Sequence, residues 1–177
     1  MKRLTFFERI QAGFDKVRLY YPDAALLEVT AHAHDHCLME KEADVGKIVL
    51  WSRAFFDGRV RAIYIESNSI HFWERPVCFD DVYVGCYDLP SDVIEIAMGL
   101  DKAFAVKANA GYDDPTDIIV LRAPTWIDYK EDEPCYFFDG ESPRVEVNTK
   151  TGKVKQLLDL SLGENSELRR MAASGTA

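Results

Sequence analysis

Apolar and polar residues alternate with a helical period in the first part of the chain. Apolar side chains recur at spacings of three and four residues: Phe7, Ile10, Phe14, Val17 and Tyr21. This is the pattern of one buried helix face. Thr5 followed by Glu8 fits a capping box at the start, and Pro22 cannot continue a helix. The pattern predicts a helix from Phe6 to Tyr20.

From Ala25 the period changes to two, which predicts a strand with one mostly polar face up to the histidine run. Two β-rich segments follow, residues 47–56 and 59–66, and Asp57-Gly58 joins them. Both residues of such a tight turn need positive φ, so Asp-Gly is a strong hairpin signal. Ser67-Asn68-Ser69 is predicted as a further turn, and residues 70–74 as another strand.

The second part of the chain follows a similar order. A helix is predicted from Ser91, as the N-cap, to Ala110, because its apolar residues again follow a helical stripe. Strands are predicted at 117–122, 135–138, 144–148 and 153–158. After Leu162 the residues are small and polar, which predicts a flexible tail.

One short motif occurs twice in equivalent places. Phe55-Phe56-Asp57-Gly58 recurs as Phe137-Phe138-Asp139-Gly140, and an Arg-Val pair follows each copy. A spacing of about 80–90 residues is too long for a solenoid and indicates two duplicated modules. The predicted fold is therefore α+β, with two tandem modules, each one helix packed on an antiparallel sheet. We assign residues 1–78 and 79–160 to the modules and 161–177 to the tail.

Composition restricts the class of partner. The 177 residues carry a formal charge of −9, which disfavours nucleic acid and favours a protein partner, a basic one in particular. No apolar run approaches the length of a membrane span, and the basic start lacks the apolar stretch of a secretory signal. The four cysteines lack CxxC spacing. They are expected as free thiols in the cytoplasm, with a Cys78–Cys86 bridge as the alternative.

The end of the second module resembles the PepSY family. The resemblance is carried by the stretch Arg144-Val145-Glu146-Val147-Asn148-Thr149-Lys150-Thr151-Gly152-Lys153-Val154, which is similar to that family's closing hairpin. It extends over about residues 90–158, a length typical of one small module. The resemblance implies a module that binds or restrains a peptidase, and it implies no catalytic residues. The first module matches in element order only.

Three of the four histidines lie in the run His32-Ala33-His34-Asp35-His36. On a strand, His32 and His34 project to the same side about 6.6 Å apart, so they could share a zinc ion. The spacing differs from the HxHxDH motif of metallo-β-lactamase-type hydrolases. We therefore favour a solvated strand face and expect no cofactor. A metal-dependent hydrolase built on His32 and His34 is the alternative.

Aromatic residues are numerous, and most of them are expected in the core. We single out Trp51, Trp73 and Trp126 as candidate partner-binding residues, since exposed aromatic side chains are frequent at protein interfaces. No nucleotide-binding or nucleophile motif is present in the sequence. The sequence thus predicts a non-enzymatic protein-binding or inhibitory module that uses an acidic and aromatic sheet surface. An assembly subunit is a further hypothesis.

Overall fold

The computed structural model describes residues 4–34, 37–69, 72–79, 89, 96–123, 133–140 and 144–157. Within these ranges lie two α-helices, one short 3-10 helix at Glu42–Asp44, and nine strands. The helices are α1 (Phe6–Tyr20) and α2 (Leu100–Asn109). The strands are β1 (Ala25–Ala33), β2 (Val45–Phe56), β3 (Arg59–Ser69), β4 (Phe72–Trp73), β5 (Val77–Phe79), β6 (Ile118–Arg122), β7 (Cys135–Asp139), β8 (Val145–Asn148) and β9 (Val154–Gln156).

Helix α1 begins and ends where the sequence predicts. The Thr5 hydroxyl accepts a hydrogen bond from the Glu8 amide, and the Glu8 carboxylate accepts one from the Thr5 amide. These two bonds satisfy donors that have no partner in the first turn. The helix buries one apolar stripe, formed by Phe6, Ile10, Phe14 and Val17.

All the strands belong to one antiparallel sheet with the order β4-β3-β2-β1-β6-β7-β8-β9, and β5 also pairs with β3. Strands β1 and β6 join the two halves at the centre through five residue pairs, from Glu28–Arg122 to His32–Ile118. The α+β fold class is confirmed. The expectation of a separate sheet in each half is wrong, because backbone hydrogen bonds between β1 and β6 continue the sheet across the middle.

The main core lies between the helices and one face of this sheet. Alternate residues of the strands point to that face, for example Leu50, Ile63, Leu121 and Tyr136, and they form one cluster with the buried residues of both helices. The opposite face carries the remaining alternate residues. No helix among the described residues packs on it, and it is called the helix-free face below.

Helix α2 starts later than predicted. It begins at Leu100 with Gly99 as its N-cap, whereas the predicted N-cap Ser91 lies outside the described residues. Ile96 and Met98 are buried on either side of exposed Ala97, and these residues are not helical. The Met98 carbonyl accepts a hydrogen bond from the Tyr136 hydroxyl, at 3.0 Å. This segment is therefore non-helical where it contacts the distant sheet, although its apolar spacing is compatible with a helix.

The turns are partly as expected. Asp57 and Gly58 have φ of 50° and 76° and join β2 to β3, so the predicted hairpin is confirmed. The predicted turn at Ser67-Asn68-Ser69 is wrong, because these residues continue β3. The buried Ser67 hydroxyl accepts from the Ile48 amide and donates to the Ile48 carbonyl. The backbone of Ile48 on the neighbouring strand thus satisfies the hydrogen-bonding groups of Ser67, although serine is a residue type that favours turns.

Candidate functional site

Within the described part of the chain, His32 and His34 are not grouped with a third metal ligand. His32 lies in β1 between Lys47 and Ile118. His34 is exposed just after the strand, where a Cβ atom at Gly46 would lie 2.9 Å from its Nδ1. Among the described residues, no three His, Cys, Asp or Glu side chains are grouped as metal ligands. His36 and His71 lie outside the described residues, and zinc binding at His32 and His34 stays a prediction.

The three candidate tryptophans have different surroundings. Trp73 is only 9% exposed and its ring packs against Gly13 of α1, so it contributes to the core and not to a binding surface. Trp51 is half-buried on the helix-free face of β2. Trp126 lies outside the described residues. Of the three, Trp51 is the one that the described structure places at a surface.

Trp51 belongs to an aromatic cluster on the first half of the sheet. Its ring centroid lies 4.9 Å from that of Tyr64 and 5.9 Å from that of Phe79, and the Tyr64–Phe79 distance is 6.3 Å. The strand register explains the contact, because Trp51 pairs with Tyr64 and Ala62 pairs with Phe79. Tilted and edge-on ring pairs of this kind contribute about 0.5–1.5 kcal/mol each, so the three rings form a packed platform.

Exposed apolar side chains extend this platform to the end of the β2–β3 hairpin. Phe55 and Val60 are a cross-strand pair with 63% and 53% exposure, and Val77, which pairs with Tyr64, is 49% exposed. We call the surface formed by Phe55, Val60, Val77, Trp51, Tyr64 and Phe79 the hairpin patch. All six residues share the helix-free face. The pair formed by exposed Arg53 and buried Ala62 lies between the aromatic cluster and the hairpin end on this face. Apolar side chains gathered on one face mark an interaction site more reliably than scattered apolar residues do.

A charged network borders the hairpin patch on one side. The Glu66 carboxylate accepts hydrogen bonds from the Tyr64 hydroxyl and from Lys47. Burial alone would raise the pKa of Glu66, but the bonds from Lys47 and Tyr64 lower it overall. Burial and the neighbouring Glu66 raise the pKa of Tyr64 well above its usual range, so its hydroxyl stays protonated as a donor. The negative charge of Glu66 is thus offset by Lys47.

The corresponding face of the second half is closed. Val120, Cys135 and Phe137 form a small second core, and Leu157 packs against it. Burial raises the pKa of the Cys135 thiol to about 12, and the adjacent Glu146 carboxylate adds to this effect. A thiol held protonated is a poor nucleophile. Cys135 is therefore a structural residue, and Cys37 and Cys78 are also free thiols, so Cys78 is not in a disulfide.

The exposed part of the hairpin patch is not recognised from the sequence. Phe55 and Phe56 are noticed there only as part of a repeat, because two aromatic residues before a turn also fit a buried strand. The available signal is the position of Phe55 and Val60 at the tip of a two-residue hairpin, where a β-strand extends beyond the core.

The described helices include none that is long and apolar enough to span a membrane.

Comparisons with protein-family models, with curated proteins and with solved structures give no match. The PepSY resemblance of the second half therefore stays a prediction. A hairpin is present where strands are predicted at 144–148 and 153–158: β8 and β9 are joined by a turn in which the Asn148 side chain accepts from the amides of Lys150 and Thr151. Such a turn is common to many hairpins.

Proposed function

We propose that this protein is a non-enzymatic binding module that recognises or inhibits a protein partner through the hairpin patch. The observation that carries the proposal is the different environment of two equivalent phenylalanines. Phe137 is 7% exposed beneath Leu157, whereas Phe55 projects into solvent on the same helix-free face. The apolar surface that one half covers with its own chain is open in the other half.

The proposal includes a duplication, which makes these positions comparable. Each half has the order helix, strand, strand, strand, and the sheet order is mirrored about the central β1–β6 pair. In both copies of Phe-Phe-Asp-Gly the first phenylalanine faces the helix-free side and the second faces the helices. The Arg-Val pairs after the motif are not in register, since Arg59 lies opposite Phe56 but Val145 lies opposite Phe138.

The energetics favour docking at this place. Complete burial of a side chain such as Phe55 or Val60 contributes about 1.5–3 kcal/mol. The aromatic cluster on the same face is held by its own ring contacts, so its three side chains lose little conformational entropy on binding. A stable interface buries about 800 Å² on each partner, which is more than these side chains supply. The hairpin patch is therefore proposed as the centre of a larger interface.

Site-specific photocrosslinking in cells of the source organism tests the proposal. A benzophenone amino acid at position 55 is expected to give one discrete crosslinked protein, identified by mass spectrometry. The matched control carries the same group at Leu38, which is 46% exposed beside the Met39–Thr116 bridge. The proposal fails if position 55 gives no crosslinked protein, or only the products that position 38 gives.

A further inference from the structure

We infer that the protein partner receives the end of the β2–β3 hairpin in an apolar cleft and contacts both faces of the hairpin. The inference rests on the proposed function and specifies the shape and chemistry of the partner's site. It adds Phe56, which lies on the helix side of the sheet, as a second anchor beside Phe55. Its basis is the way in which the hairpin extends beyond the strands on either side of it.

The end of the hairpin projects from the sheet as a two-stranded ribbon. Strand β1 begins opposite Arg53, and the described part of β5 ends opposite Ala62. Three residue pairs of the hairpin lie beyond these positions, and the last of them is Phe56–Arg59. No other described strand runs beside these pairs. At a rise of about 3.3 Å per residue, the ribbon extends the hairpin by roughly 10 Å.

The ribbon carries exposed apolar side chains on both of its faces. Residues 55–60 are all exposed. Phe55 and Val60 lie on the helix-free face, and Phe56 on the helix side is 47% exposed although the Arg61 guanidinium lies over its ring at 5.5 Å. A sheet with one solvated face usually carries apolar residues on its covered face only. A flat partner surface would cover one face of the ribbon, whereas a cleft removes apolar side chains on both faces from water.

Contacts with the body of the protein support the ribbon. Ala54 at its base is buried. The Asp23 carboxylate accepts a hydrogen bond from the Phe55 amide at 3.0 Å, and the ring centroids of Tyr21 and Phe56 lie 6.2 Å apart in an edge-on pair. A two-stranded hairpin by itself is only marginally stable. These contacts restrict the ribbon before binding and so reduce the conformational entropy that insertion costs.

The dimensions of the ribbon define the site that it fits. The site is a cleft about 10 Å deep, with apolar groups on both walls. Phe55 and Val60 pack against one wall and Phe56 against the other. Ligand sites of proteins are concave and mostly apolar, so insertion of the ribbon would also block such a site. This is the inhibitory form of the proposed function.

Photocrosslinking from both faces of the ribbon tests the inference. A benzophenone amino acid is placed in the full chain at position 55 or at position 56, in cells of the source organism. Both positions are expected to crosslink the same protein, and mass spectrometry is expected to map the two crosslinks to different segments of that protein, one on each wall. The matched control is position 19, because Leu19 is 82% exposed on α1, outside the ribbon.

The outcomes separate this inference from the proposed function. If position 55 crosslinks one protein and position 56 crosslinks none, the cleft is wrong and the proposed function stands. The same conclusion follows if position 56 gives only the products of position 19, or if both crosslinks map to one segment of the partner. If position 55 gives no specific crosslink, both proposals fail.

A substitution measures the contribution of Phe56. With the benzophenone group at position 60, Phe56→Ser is expected to lower the yield of the crosslinked protein about tenfold, because a buried phenylalanine is lost from the interface. Phe56→Leu is expected to retain most of the yield. Tyr20→Ser removes a ring that is 50% exposed at the end of α1 and is the control. Circular dichroism confirms that each variant is folded, and an equal loss of yield in Phe56→Ser and Tyr20→Ser would overturn the inference.

Discussion

Gly13 and Trp73 fit together because residue 13 lacks a side chain. A Cβ atom there would lie 2.5 Å from two ring carbons of Trp73, well inside van der Waals contact. Trp73 looks like a surface anchor from its place near the end of a short strand. Its burial depends on a glycine 60 positions earlier, since 73 − 13 = 60, and local pattern carries no information on such a contact.

The close contact makes an ordinarily favourable substitution unfavourable. Alanine stabilises a helix interior by about 1 kcal/mol relative to glycine, yet Gly13→Ala is expected to lower the free energy of unfolding by about 1–3 kcal/mol because of overpacking. Urea unfolding followed by circular dichroism measures the change. In a Trp73→Leu background the same alanine is expected to be neutral or stabilising. A similar loss in both backgrounds would contradict the packing argument.

Glu66 makes stability depend on pH in a defined direction. Its pKa in the folded protein lies below the ordinary value of 4.5, so the unfolded state binds more protons as the pH falls through this window. The stabilisation is present above pH 4.5 and is lost as the pH drops through the lower, folded-state value. Glu66→Gln is expected to show a smaller fall in urea midpoint between about pH 5 and pH 3.

The control for this measurement is Glu40→Gln, which changes an exposed carboxylate in the segment that precedes β2. It is expected to retain the wild-type dependence on pH. Parallel curves for wild type and Glu66→Gln would show that the bonds from Lys47 and Tyr64 do not stabilise the folded state.

Elements whose boundaries depend on nearby residues are recovered well. Helix α1 is defined by its capping box and by Pro22, and the β2–β3 hairpin by Asp57-Gly58. Helix α2 and the end of β3 differ from expectation. In each case a residue of a distant strand, Tyr136 or Ile48, forms a hydrogen bond with the segment concerned. Local propensity is overruled where a tertiary hydrogen bond is available.

The capping box of α1 offers a test at this scale. Thr5→Ala removes the acceptor for the Glu8 amide and is expected to reduce the free energy of unfolding by about 1 kcal/mol. Thr5→Ser keeps the hydroxyl and is expected to retain most of the stability. Chemical denaturation of both variants provides the comparison, and an equal loss in the two would show that the hydroxyl is not what stabilises the helix start.

At the scale of the whole molecule, the central β1–β6 pair turns two halves into one sheet with a shared core on one face. Such a continuous core is expected to unfold as one cooperative unit. Isolated halves of about 80 residues would bury a limited core each. The joint sheet also aligns the helix-free surfaces of both halves side by side, one closed and one open.

Cooperativity between the halves can be measured by native-state hydrogen exchange. Ile48→Ala in β2 creates a cavity in the shared core and is expected to cost about 2–5 kcal/mol. If the halves unfold together, amide protection in β7 of the second half falls by the same free energy as in β2. Loss of protection confined to the first half would show that the halves are energetically independent.

The sequence by itself determined the α+β class, helix α1, the Asp57-Gly58 hairpin and the approximate position of most strands. These features depend on spacing, capping and turn residues within a few positions of each other. The tertiary structure decided which strands meet, that Trp73 is buried, and that the first phenylalanine is exposed in one Phe-Phe-Asp-Gly and covered in the other. The same four residues have different surroundings because burial is set by segments far away in the chain.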